Sequence, residues 1–233
     1  MRRIRPESAE QFARLSWRKP DMRIADQITA QPNLPGFECH DLGGGRLWVG
    51  RLSDALIPVA AEFDALWQLH PADFHEIKMH GRLVKTPRWQ QAYGMDYHYT
   101  GRVNRALPIP PRIGPFLSWT QENVDEGLNG LLLNWYDGQR GPYIGRHRDS
   151  IQNMIPGAPI VTISLGEERT FRLRPWPAHP GATPIDFPAC NGTVFVMPWE
   201  TNRAFTHEVP PSTRRTGRRI SVTLRGFVSV TAA

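Results

Sequence analysis

Apolar residues cluster in short runs over the second half of the chain. From Leu131 onward, "LLLNWY", "APIVTISLG", "RTFRLRPW", "GTVFVMPW" and "RRISVTLRGF" follow one another, separated by turn residues. Runs of this length, rich in Val, Ile, Leu and aromatics, predict β-strands. Strands in succession with no helix between them predict a sandwich, barrel or jelly roll. Upstream the periodicity differs. In "SDALIPVAAEFDALWQLHP", Leu56, Val59, Ala60, Phe63 and Leu66 or Trp67 recur at helical spacing, with Ser53 as N-cap and a stop before Pro71. "RLWVGRL" reads as a strand. His80-Gly81 reads as a turn, Pro87 and Gly94 bracket a short aromatic strand, and "MDYHYTG" alternates like another. "ALPIPPRIGPF" is too proline-rich for regular structure and predicts a connector; "LSWTQENVDEGL" predicts a second helix ending near Gly127.

This pattern predicts a mainly β fold of α+β class, with a helical N-terminal part. Residues 1–35 are polar, basic and proline-punctuated, an extension in which "SAEQFARL" forms a short helix capped by Ser8; residues 36–233 form the domain.

Composition narrows the picture modestly. The chain has 233 residues, 40% apolar and 21% charged, which suits one globular domain with a real core. The formal charge of +6 favours anionic partners. Two distant cysteines, Cys39 and Cys190, make neither a disulfide framework nor a zinc cluster. There is no secretory h-region and no membrane-length apolar run, so a cytoplasmic protein without a membrane partner is expected.

The chemistry lies in "YIGRHRDS". Residues i and i+2 of a strand share a face, so His147 and Asp149 point to one side if the stretch is extended. His207 in "AFTHEVP" is the best third ligand. Two histidines and one carboxylate leave open positions on a metal, which suits non-haem Fe(II) enzymes. Such an iron needs an electron donor; if that donor is 2-oxoglutarate, its far carboxylate needs a cation. "RRISVTLRGF" offers Arg219 and Arg225 on one face, with Ser221 and Thr223 between them and Ile220, Val222 and Leu224 on the other. Asn134 and Tyr136 in "LLLNWYDG" also share a face and can donate to a carboxylate. Taken singly, each element has a plain structural reading: a charged turn, a core histidine, a surface arginine. Their order along the chain carries the case. Arg146 and Arg148 alternate away from the metal, toward solvent or an anion.

The run "NWYDG…YIGRHRDS…PIVTISLGEERTFRLR…GTVFVMPWETNRAFTHEVP…GRRISVTLRGF" resembles the AlkB-like Fe(II)/2-oxoglutarate-dependent dioxygenases. The resemblance extends upstream through "TPRWQQAYGMDYHYTG" and covers roughly residues 75–228. It implies a double-stranded β-helix (jelly roll), with Fe(II), 2-oxoglutarate and O₂ as cofactors and co-substrates. His147, Asp149 and His207 match the iron ligands. Arg219, Asn134 and Tyr136 match 2-oxoglutarate contacts, and Arg225 the second arginine near co-substrate or substrate.

The family also implies a nucleotide-recognition lid, to which "PRWQQAYGMDYHYTG" contributes Arg88, Gln90, Tyr93, Tyr97 and His98; Trp89 reads as core. The implied activity is oxidative demethylation of alkylated bases in DNA or RNA, with release of formaldehyde, succinate and CO₂. One departure stands out. Nucleobase-demethylating relatives commonly carry an acid directly after the metal aspartate; here Ser150 stands there. The same iron chemistry on a small molecule, amino acid or protein side chain is the alternative. A binding module without catalysis fits poorly with an intact ligand set.

Overall fold

The computed structural model describes residues 34–79, 81–99 and 102–228. The chain divides into two units, Met1–Pro32 and Asn33–Ala233; every described residue belongs to the second. The Ser8-capped helix and His80 lie outside the described residues.

Strand alternation decides where the core sits. The long strands are β9 (Gly130–Asp137), β11 (Ile160–Gly166), β14 (Thr193–Met197) and β16 (Arg218–Arg225). They lie in one eight-stranded sheet, in the order β1-β2-β14-β11-β16-β9-β5-β8. Its other members are β1 (Glu38–Asp41), β2 (Arg46–Arg51), β5 (Trp89–Tyr93) and β8 (Ala106–Leu107). Leu131, Leu133 and Trp135, then Val161, Ile163 and Leu165, then Ile220, Val222 and Leu224, all face one side. There they pack with Leu66 and Trp67 of α1 (Ala60–Trp67) and Phe116 of α2 (Gly114–Asn123). Trp135 donates its indole N–H to the Leu66 carbonyl at 3.1 Å, tying sheet to helix.

The other face meets a four-stranded sheet in the order β10-β15-β12-β13. These strands are β10 (Ile144–His147), β12 (Arg169–Pro175), β13 (Ile185–Ala189) and β15 (Phe205–Val209). Leu47, Leu132, Ile160, Phe171, Leu173, Phe187, Phe195, Met197 and Phe205 fill part of the space between the sheets. Two sheets, antiparallel except for the β5–β8 edge pair, close on a shared interior and form a jelly roll. The large sheet is covered on both faces, which is why its strands read as nearly continuous apolar runs. Two hairpins stand apart, β3 (Glu76–Met79) with β4 (Arg82–Lys85), and β6 (Tyr97–Tyr99) with β7 (Arg102–Asn104). No described helix is long and apolar enough to cross a membrane.

Three elements differ from expectation. The first helix is split: Asp54–Leu56 is a 3₁₀ turn and α1 starts at Ala60. Pro58 holds Ile57 extended and interrupts the helix; Glu62 accepts the Val59 amide at the restart, at 3.1 Å. The second helix starts at Gly114, inside the expected connector, because Pro115 is tolerated in a first turn; it ends at Asn123 rather than near Gly127. A short helix, α3 (Trp199–Ala204), sits between β14 and β15, where only strands were expected.

Gly166 ends β11 with φ +84°, and a Cβ there would lie 2.4 Å from the Arg218 carbonyl oxygen. Gly166→Ala is expected to cost roughly 2–5 kcal/mol in urea unfolding, combining left-handed strain with overpacking. Gly145→Ala, with open space around it, serves as the near-neutral comparison.

Candidate active site

The polar residues of the large sheet's inner face collect at one end of the sandwich. Gln90 of β5, Asn134 and Tyr136 of β9, Thr162 of β11, and Arg219, Ser221, Thr223 and Arg225 of β16 form the floor of a recess. The smaller sheet supplies the opposite wall: Ile144, His147, Phe171, His207 and Val209. Asp149 closes the recess just past the end of β10.

The three expected ligands converge. Their donor atoms all lie within 4.8 Å of one another. Asp149 Oδ1 is 3.5 Å from His147 Nε2 and 3.7 Å from His207 Nε2. His147 and His207 are register partners across β10 and β15, so one sheet fixes both rings. The strand argument holds only in part, because β10 stops at His147 and Asp149 lies in the following loop. What fixes Asp149 is Asn202 of α3. Its Oδ1 accepts the Asp149 amide at 3.0 Å and its Nδ2 donates to the Asp149 carbonyl at 3.1 Å.

Protonation states follow from the partners. His147 Nδ1 lies 2.8 Å from the Gly145 carbonyl, which can only accept. Nδ1 therefore carries the proton and Nε2 keeps its lone pair for a metal. Burial, then the neighbouring His147, push the His207 imidazole down to about 3, so it stays neutral. Burial works to raise the Asp149 carboxyl, but Arg225, followed by His147 and His207, outweighs it and holds Asp149 well below the usual carboxylate range. Arg225 Nη2 reaches Asp149 Oδ2 at 2.6 Å. That leaves Oδ1 facing the imidazoles. Neutral imidazoles and an ionised carboxylate are the forms a divalent iron needs.

Beyond the metal ligands the recess is lined with donors. Arg219 is 1% exposed. Its Nε donates to Ser164 Oγ at 2.9 Å, and the Ser164 hydroxyl in turn donates to the Ala189 carbonyl at 3.1 Å. Arg219 also stacks on the Tyr136 ring at 4.9 Å. Its Nη1 is buried and has no hydrogen-bond partner among the described residues, as do Arg225 Nε and Gln90 Nε2. A buried guanidinium facing only neutral partners is costly unless an anion completes it. The far carboxylate of 2-oxoglutarate meets that need, so the residues present fit the co-substrate.

Arg88 orders this lining. It is buried, and it donates to Asn134 Oδ1 at 3.0 Å and to Gln90 Oε1 at 3.4 Å. Arginine has donors only, so it must meet the oxygen of each amide. The NH₂ groups of Asn134 and Gln90 are then turned away from Arg88. Arg88 is thus part of the wall, also held to the Tyr143 carbonyl at 3.2 Å.

The remaining expected substrate contacts divide. Tyr97 is in the recess, within 3.4 Å of Asp149 Oδ1 and under Arg225 at 4.4 Å from its ring centre. Ser150 borders the adjoining cleft and donates its amide to the Tyr97 hydroxyl at 3.3 Å. Tyr93 is not in the site: it points from β5 to the opposite face and packs in the helix-side core beside Trp89. Alternation along β5, with Gln90 and Ala92 inward, forces this. His98 lies outside the recess lining, on β6 between Tyr97 and Tyr99.

Sequence reading missed Asn202 and Ser164. Ser164 had a signal, since "IVTISL" alternates polar Thr162 and Ser164 with apolar residues. Asn202 had none, because its helix interrupts a run of strands.

The family described as the 2OG-Fe(II) oxygenase superfamily matches residues 12–225. The DNA oxidative demethylase ALKBH2 of Homo sapiens is 26% identical over 159 residues, covering 64% of this chain and 60% of that protein. The alpha-ketoglutarate-dependent dioxygenase alkB homolog 3 of Rattus norvegicus is 29% identical over 149 residues, covering 60% and 50%. The chain thus spans about half to three fifths of the length of these curated relatives. Among solved structures, OsALKBH1 superposes with a TM-score of 0.50 at 14% identity, covering 81% of this chain and 99% of that one; this likeness bears on the fold.

Asn202→Ala should lower Mn(II) affinity about 10–100-fold, the usual effect of losing a group that orients a ligand, with the fold retained. Calorimetric titration of the metal-free protein reads this. Unchanged affinity would remove Asn202 from the metal site.

Proposed function

The chain belongs to the 2OG-Fe(II) oxygenase superfamily, in its AlkB-like branch, and on that premise we propose that it oxidatively demethylates alkylated bases in nucleic acid. When bound, iron and 2-oxoglutarate would activate O₂, the oxidant, to hydroxylate a C–H bond, with 2-oxoglutarate giving two electrons and leaving as succinate and CO₂. His147, Asp149 and His207 would hold the iron; Arg219, Asn134 and Tyr136 would hold 2-oxoglutarate. The chain's own residues do the rest. Arg225 keeps Asp149 ionised, Gly145 fixes the His147 tautomer, and Arg88 orients the amides.

The observation that carries the substrate class is the cleft outside His147. Lys85, Arg88, Arg146 and Arg148 line it together with Ile77, Val84, Tyr143 and Ile144, and no carboxylate is among its lining residues. Cations with apolar and aromatic walls suit a phosphate-bearing base. That the relatives are named for DNA demethylation and alkB homology supports the same reading.

A second reading rests on Ser150. Without an acid there, a cationic methylated base lacks a charge-assisted partner, a loss on the order of 1.5–3 kcal/mol. The same cleft would serve a small anionic substrate.

Formaldehyde release separates the two. With Fe(II), ascorbate and 2-oxoglutarate, methylated single strands should release formaldehyde, and apparent substrate affinity should fall steeply between 50 and 200 mM salt, as phosphate contacts require. If no methylated DNA or RNA is turned over while a small-molecule pool is, the nucleic-acid assignment is wrong.

A further inference from the structure

Trp176 directly follows β12 and is 46% exposed. It is the one exposed tryptophan among the described residues. Its backbone is fixed by a 2.7 Å bond from its amide to the Ala204 carbonyl. Two guanidinium groups lie against the indole, Arg146 at 5.7 Å and Arg148 at 5.3 Å from the ring centre. Both are held in place by neutral acceptors: Arg146 Nε donates to Thr206 Oγ1 at 2.8 Å, and Arg148 Nη1 to the Arg203 carbonyl at 3.3 Å. Among the described residues neither pairs with a carboxylate.

Arg146, within β10, faces outward where His147 faces the recess, and Arg148, just past the strand's end, is exposed beside it. Both also line the cleft that leads to His147. A path of unneutralised positive charge therefore runs from the metal site to an indole with nearly half its surface open.

We propose that Trp176, Arg146 and Arg148 form a strand-binding platform outside the catalytic recess, where one base of a single-stranded nucleic acid stacks on the indole and the neighbouring phosphates meet the two arginines. The proposal rests on the nucleic-acid reading of the substrate and adds where the strand runs. Single-stranded nucleic acid uses both parts of the surface, because every base offers a π-face and every linkage a phosphate. An acidic peptide would satisfy the arginines and leave the indole unused. A duplex keeps its bases stacked inside.

The test uses the full chain loaded with Mn(II) and a fluorescein-labelled, unmethylated single strand of about fifteen nucleotides, a length that spans a typical binding groove. Anisotropy should show Trp176→Ala weakening binding about tenfold, the scale of one base–aromatic stack. Trp176→Phe, which keeps a ring, should retain most of the affinity and guards against a folding artefact. Arg148→Gln should reduce the slope of log affinity against log salt by about one. Heparin, a polyanion without bases, should bind Trp176→Ala and the unaltered protein equally. Equal strand binding by Trp176→Ala and the unaltered protein overturns the platform, as does a parallel loss of heparin binding. The strand carries no methyl group, so the outcome is independent of demethylation. If the strand binds through Trp176 but no methylated strand is turned over, the substrate reading fails and the platform stands.

Discussion

Inside the sandwich, Arg225 and Asp149 meet at 2.6 Å, each almost wholly buried. A buried ion pair of this kind is poor value for stability, since desolvation cancels much of its attraction. Its use here is electrostatic. It holds a negative charge ready beside two imidazoles, one kept neutral by burial and the other oriented by a backbone carbonyl. The rest of the site depends on that arrangement. Asn202 clamps the Asp149 backbone from one side, and Tyr97 reaches Asp149 Oδ1 with its hydroxyl while its ring lies against the Arg225 guanidinium.

The two sheets divide the work. The large sheet is covered by helices on one face and presents its donors along β5, β9, β11 and β16. The small sheet and the loop after β10 carry the candidate metal ligands. The recess is thus built from opposite walls, and its unpartnered Arg219 Nη1, Arg225 Nε and Gln90 Nε2 mark where acceptors belong. An anionic ligand would satisfy these buried donors.

Much of this was legible in the sequence, for a physical reason. Alternation in "RRISVTLRGF" is a property of the strand itself, so the inward placement of Arg219, Ser221, Thr223 and Arg225 could be read before any fold was known. That His147 and His207 belong to one candidate metal site could be read from order and residue type. What could not be read depended on tertiary neighbours. Asp149 lies beyond its strand and is held by a helix that no apolar period announces. Arg88 looks like a substrate contact in sequence, yet its partners are two amides on neighbouring strands. Tyr93 was misplaced because a short strand, taken alone, does not say which of its faces is the inner one.

If the donor-lined floor is a dicarboxylate site completed by Arg219, beside a separate metal site, the two can be separated by one substitution. Calorimetric titration of 2-oxoglutarate into the Mn(II)-loaded protein and its Arg219→Met variant reads this. The variant should keep its Mn(II) affinity and lose at least about thirtyfold in 2-oxoglutarate affinity, as expected for removing one partner of a buried charge pair. Undiminished 2-oxoglutarate binding in a variant that still holds Mn(II) would contradict it.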